Sequence, residues 1–87
     1  MVEFEWDDEN IDHLARHGIT RLEAEEVFYG RVLRLRHRTD APDRHGVLGR
    51  TGSGRYLVML YQPKARGVVR VFSGWDMSPS ERRRYGR

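Results

Sequence analysis

The spacing of apolar residues changes period twice along this chain, and each change marks a change of element. Phe4 and Trp6 alternate with Glu3 and Glu5, a period of two that predicts a short half-buried strand. Asp7 or Asp8 is placed to cap the first helix. From Glu9 to His17 the apolar residues Ile11, Leu14 and Ala15 share one helical face, and Gly18 stands where a left-handed residue commonly ends a helix. Thr20, with Glu23 three residues later, forms a capping box for a second helix reaching about Tyr29, whose buried stripe is Ala24, Val27 and Phe28. The short gap between the two predicts a helical hairpin.

The period of two returns at Arg31. Leu33, Leu35 and His37 alternate with Arg34, Arg36 and Arg38, so one strand face is apolar and the other carries arginines about 7 Å apart. Thr39 to Arg44, with Pro42 and two aspartates, reads as a loop. His45 to Thr51 and Arg55 to Gln62 read as a hairpin closed by Gly52, Ser53 and Gly54, and Val68 to Trp75 as a last strand. Ser78 and Glu81 form another capping box with Pro79 at the first helical position, opening a short helix through Tyr85. The class is α+β in one domain over residues 1–87. It comprises an N-terminal helical hairpin, an antiparallel sheet of about four strands with a short N-terminal strand as a candidate fifth, and a C-terminal helix.

Composition narrows the partners. Charged residues make up 33% of the 87 positions and hydrophobic ones 38%, enough for a single thin core. Cysteine is absent, which excludes disulfides and thiolate chemistry and fits a reducing cytoplasm, the expected location. No apolar run approaches the roughly 18 residues of a membrane helix, so no membrane association is expected. There are fifteen arginines against one lysine, and they are unevenly placed. Up to Glu26 nine acids face two arginines; from Val27 onward fourteen basic residues face four acids. Guanidinium grips phosphate or carboxylate through paired hydrogen bonds, so a polyanion or an acidic protein is the expected partner of the basic part. The acidic helices are left for a basic or apolar contact, self-association into a homodimer included.

Several segments together carry a family resemblance. Phe4-Glu5-Trp6-Asp7, His17-Gly18-Ile19 followed by Glu25, Glu26 and Val27, the run from Gly54 to Val58, and Arg70-Val71 leading to Asp76-Met77 and Glu81-Arg82-Arg83-Arg84-Tyr85 resemble BrnT-type toxins over nearly the whole chain. That family is similar in fold to the RelE and ParE toxins. The resemblance implies a toxin of a type II toxin-antitoxin system: a metal-independent ribonuclease that inhibits translation and is neutralised by a cognate DNA-binding antitoxin. One position departs from the pattern. Where many relatives read Ser-Ala-Arg, this chain reads Ser73-Gly74-Trp75, an indole in place of a cation.

Metal-free RNA cleavage needs a base for the 2′-hydroxyl proton, cations around the phosphorane and an acid for the leaving oxygen. Arg44 and Arg70 match basic positions of the family pattern and are the candidates for phosphate stabilisation. His37, His45, Tyr61, Glu81 and Tyr85 are the proton-transfer candidates, Glu81 and Tyr85 foremost. Candidate RNA contacts are Arg34, Arg36 and Arg38 on their strand, Arg50 and Arg55 flanking the glycine turn, Trp75, and Arg82 and Arg83 on the last helix. Each also has a structural use: charges guard an exposed strand edge, tryptophan fills gaps, and basic residues suit a helix C-terminus. Glu9, His13 and His17 stand four apart like a metal-ligand ladder, but no further ligand completes it, and no metal or cofactor is expected. The competing functions are a non-catalytic nucleic-acid- or protein-binding domain and a ParE-like topoisomerase inhibitor.

Overall fold

The structure, a computed structural model, describes residues 2–35 and 44–86. Arg36, His37, Arg38 and the expected loop at 39–43 lie outside them. The order of elements is β1 (Glu3–Phe4), α1 (Asp8–Arg16), α2 (Arg21–Tyr29), β2 (Leu33–Leu35), β3 (His45–Arg50), β4 (Tyr56–Pro63), β5 (Val68–Asp76) and α3 (Pro79–Tyr85). One sheet has the order β1-β5-β4-β3-β2. The expected four strands pair antiparallel, while β1 is present and joins β5 in parallel, which makes the sheet mixed. The parallel pairing is long-range, with everything from α1 to β4 lying between the two strands in sequence.

Side chains that alternate along β3 and β4 build two cores. Val47, Leu57, Met59 and Tyr61 face α1 and α2, packing with Leu14, Ile19, Ala24, Val27 and Val71. Leu48 and Val58 face the other way, against Met77 and Tyr85, with Leu33, Leu35, Tyr56 and Leu60 around them. Burying each large aliphatic side chain contributes about 1.5–3 kcal/mol, so these two layers outweigh any surface ion pair. The two N-terminal helices succeed one another across a short turn, but they do not pack on each other as the expected helical hairpin would. Each is fixed by the sheet, α1 chiefly against β5 and α2 against β3 and β4.

Among the described residues all three α-helices begin with reciprocal caps. Thr20 with Glu23 and Ser78 with Glu81 form the boxes expected of them. The third has asparagine where the usual pattern has glutamate or glutamine: Asp7 accepts from the Asn10 amide at 3.1 Å, and Asn10 Oδ1 accepts from the Asp7 amide at 2.8 Å. Asn10 also corrects the expected inner face of α1. Leu14 is fully buried, but Ile11 is half-buried and Ala15 exposed, and Asn10, 2% exposed, takes the inward position. Its side-chain amide donates to the Glu5 and Val71 carbonyls at 3.0 and 2.9 Å. The physical reason is the sheet edge: β1 pairs β5 only at Val68 and Val69, so a donor is needed where it leaves off. At the hairpin, Gly54 has φ 95°, a conformation that excludes most side chains, and its amide donates to Thr51 O at 3.0 Å.

Candidate nucleic-acid interface

Register decides which arginines share a surface. Gln62 lies opposite Arg70, Val58 opposite Trp75, and Tyr56 opposite Arg50; cross-strand partners project to the same side. Val58 and Tyr56 belong to the α3 core, so Arg50, Arg70 and Trp75 are on the α3 side of the sheet. Arg44 and Arg82 join them, the first with its guanidinium 5.3 Å from the Phe72 ring centre and the second 4.2 Å from that of Tyr56. Four arginines from β3, β5, α3 and the segment before β3 therefore share one face.

They divide between its two ends. At one end a cleft of about 220 Å³ is lined by Glu9, Asn10, His13, Arg44, Gln62, Arg70 and Phe72. Pairing passes from Leu60 with Ser73 to Tyr61 with Val71, leaving Phe72 as the extra residue of a bulge that turns it under Arg44. His13 reaches in from α1, its Nε2 3.3 Å from Ser73 Oγ. Arg70 is already engaged: its Nη1 donates to Asp7 at 2.8 Å and Glu5 at 3.1 Å, its Nη2 donates to Asp7 at 3.2 Å, and Glu9 is 3.9 Å away. The hydrogen bond from Arg70 holds the Asp7 carboxyl below its ordinary value, and the same bond raises Arg70.

At the other end an open hollow of about 620 Å³ is lined by Glu26, Tyr29, Gly30, Arg31, Arg50, Thr51, Gly52 and Tyr85. Arg31 lies 4.5 Å from the Tyr85 ring centre while the Tyr85 hydroxyl donates to the Arg31 carbonyl at 2.8 Å. Arg50 lies 5.1 Å from the Tyr56 ring centre, and the two tyrosines meet edge to face.

The remaining expected residues have other settings. Arg55 ties the hairpin to α2 and β5, donating to Asp76 at 2.9 Å, to Glu23 at 3.2 Å and to the Gly18 carbonyl at 2.8 Å. Its bond to Asp76 raises Arg55 and lowers Asp76, and Glu23 is lowered first by the Thr20 amide and then by Arg55. Arg34 pairs with Val47 and so projects to the α1 and α2 side, exposed on the edge strand. Arg36 and Arg38 lie outside the described residues. Trp75 is 39% exposed, and Arg83 is exposed on α3. Glu81 Oε1 accepts from the Ser78 amide at 2.8 Å, and Tyr85 is 7% exposed. These two hold α3 in place at the far end of the face from Arg44 and Arg70.

The cleft brings in groups that the chain pattern does not select. His13 and Glu9 stand out in the sequence only as part of a ladder with His17; the His13 and His17 rings are 5.3 Å apart, but His13 turns to Ser73. Gln62 and Phe72 carry no signal at all. Among the described residues no three His, Asp or Glu side chains are grouped to hold a metal ion. None of their helices is long and apolar enough to cross a membrane. No family model matches the chain, and no curated protein matches it.

Proposed function

We propose that this chain is a BrnT-type toxin with a RelE-like fold, a ribonuclease that cleaves RNA without a metal and is neutralised by a cognate DNA-binding antitoxin. The observation that carries the reading is the joining of His13, Arg44 and Arg70 in one cleft on the α3 side of the sheet. An imidazole for proton transfer and guanidinium groups for the phosphorane are the two components that such cleavage needs. In the proposed reaction His13 accepts the 2′-hydroxyl proton and O2′ attacks phosphorus. The bond to the 5′-oxygen breaks, and that oxygen takes a proton from solvent water, whose hydroxide is neutralised by the proton His13 releases. The products are a 2′,3′-cyclic phosphate and a 5′-hydroxyl. Arg44, and Arg70 once released from Asp7, stabilise the charge on the non-bridging oxygens. His13 takes the proton-transfer role in place of Glu81 and Tyr85, whose polar atoms are bonded to the Ser78 amide and the Arg31 carbonyl.

The test is incubation of purified protein with RNA, with and without ribosomes, and then mapping of the new ends. Cyclic phosphate ends, lost in His13→Ala, are expected; RNA intact under both conditions overturns the reading. The antitoxin is expected to bring acidic and apolar residues to the face of Arg44, Arg50, Arg70 and Arg82, so the complex weakens as salt rises.

A second reading is a RelE-like domain that binds nucleic acid or protein without cleaving. It is favoured by the carboxylates already on Arg70 and by the exposed Trp75 where the family pattern has arginine. Harmless expression without an antitoxin supports it. Growth arrest with intact RNA and damaged DNA supports a ParE-like inhibitor instead.

A further inference from the structure

β5 loses its strand neighbour early, and α1 takes over the open edge. Pairing with β1 ends at Val69; beyond it Asn10 donates to the Val71 carbonyl at 2.9 Å, and three residues further along α1 His13 Nε2 meets Ser73 Oγ at 3.3 Å. Ser73 is itself held in place, since it follows the Phe72 bulge and pairs with Leu60. Among the described residues no other hydrogen bond reaches either side chain. None of their buried side-chain nitrogens lacks a partner, so His13 Nδ1, which has none, opens to solvent.

From this geometry we infer that Ser73 is a positioning residue for the proposed cleavage: its Oγ accepts from His13 Nε2–H, and Nδ1 is the nitrogen that takes the 2′-hydroxyl proton. The inference rests on the ribonuclease reading. A neutral imidazole carries one proton, and the nitrogen that holds it cannot act as the base. Donation from Nε2 lasts through the step, because that nitrogen is protonated both before and after Nδ1 gains its proton. The reverse bond would put the proton on Nδ1 and cover the basic nitrogen with the serine hydroxyl. No other cleft group fixes the ring. Arg44 and Arg70 only donate, the Glu9 side chain is 91% exposed and makes no bond to His13, and the His17 ring lies 5.3 Å away without bonding it. Ser73 does not line the cleft, so it acts through His13 and not on RNA.

The test sets Ser73→Val, which has a branched side chain without a hydroxyl, beside Ser73→Thr, which keeps the hydroxyl. Ser73→Val is expected to lower kcat for RNA cleavage about ten- to hundredfold with KM unchanged, and Ser73→Thr to restore most of the rate. Thermal melts check that both fold. A folded Ser73→Val that cleaves like the parent overturns the inference, as does a change confined to KM, which sets Ser73 against RNA instead. The contact is also read without activity, from the nitrogen-15-coupled ring proton of neutral His13. It is expected on Nε2 in the parent and in Ser73→Thr, and lost to exchange with water in Ser73→Val. A ring proton on Nδ1 of the parent overturns the inference even where RNA is cut, and this measurement needs no variant to fold. A proton on Nε2 held by Ser73 in a chain that leaves RNA intact overturns the cleavage reading and keeps the contact.

Discussion

Arg70 on β5 and Asp7 at the start of α1 are 63 residues apart in sequence and meet at 2.8 Å. The pair closes the cleft against the sheet edge and occupies a guanidinium that faces the proposed phosphate position. A carboxylate and a phosphate compete for the same donors, so the contact that holds the helix also restrains the site. Asp7→Asn separates the two effects, because asparagine keeps the helix cap. It is expected to tighten RNA binding about fivefold at low salt, since one like charge is removed from beside the phosphate position, and to lower stability. Binding isotherms at low and high salt check this, and the gain should shrink as salt rises.

The same pairing predicts the response to acid. Asp7, Glu23 and Asp76 all have folded values held below their ordinary ones. Such groups bind fewer protons in the folded chain, so their contribution is complete above the unfolded values near 4 and is lost as pH falls through the lower folded values. Urea midpoints should therefore be flat from neutral pH to about 5 and drop below about 4. In Arg70→Gln the drop should be shallower, because Asp7 then loses the largest cause of its lowering.

Asn10 is expected to be the most sensitive polar residue of the fold. Asn10→Ala removes half of the α1 cap and leaves the Val71 carbonyl without its donor, for a loss of about 2–4 kcal/mol. Asn10→Asp should cost at least as much, since it turns an acceptor toward two carbonyls. Denaturant unfolding of both variants measures this.

Gly74 leaves no room for a side chain. A Cβ there would lie 2.8 Å from the Val58 carbonyl and 2.8 Å from Met59 Cε. The methionine can move and the backbone oxygen cannot without parting β4 from β5. Gly74→Ala is expected to destabilise by about 1–3 kcal/mol, seen as a lower melting temperature.

Within the cleft, His13→Ala should reduce RNA cleavage by about 10²–10⁴ and Arg44→Ala by about 10²–10³. Arg44 is exposed, so its variant should melt like the parent while losing activity. Single-turnover cleavage beside a thermal melt distinguishes lost chemistry from lost fold.

Local signals are readable where the chemistry is local. The Thr20 and Ser78 boxes, the Gly18 stop and the glycine hairpin each depend on residues within a few positions, and each forms as expected. Asn10 is not readable in this way, because its inward position is set by a carbonyl on a strand 61 residues away. The acidic and basic halves are visible in the chain as partners for other molecules. Folding instead uses part of that charge internally, through Arg55 on Glu23 and Arg70 on Glu5 and Asp7. His13 is hidden for a similar reason: the helical ladder points to its neighbours on α1, while its useful partners come from β5 and the start of β3.

The parallel joining of β1 to β5 also sets an order of events during synthesis. Glu3 and Phe4 must wait until Val68 and Val69 have emerged, because among the described strands β5 alone receives them. Contacts of such long sequence separation form late and slowly. The cleft, which draws one wall from α1 and the other from β5, consequently cannot assemble on a nascent fragment that stops short of β5, and whatever activity it houses waits until both walls have emerged.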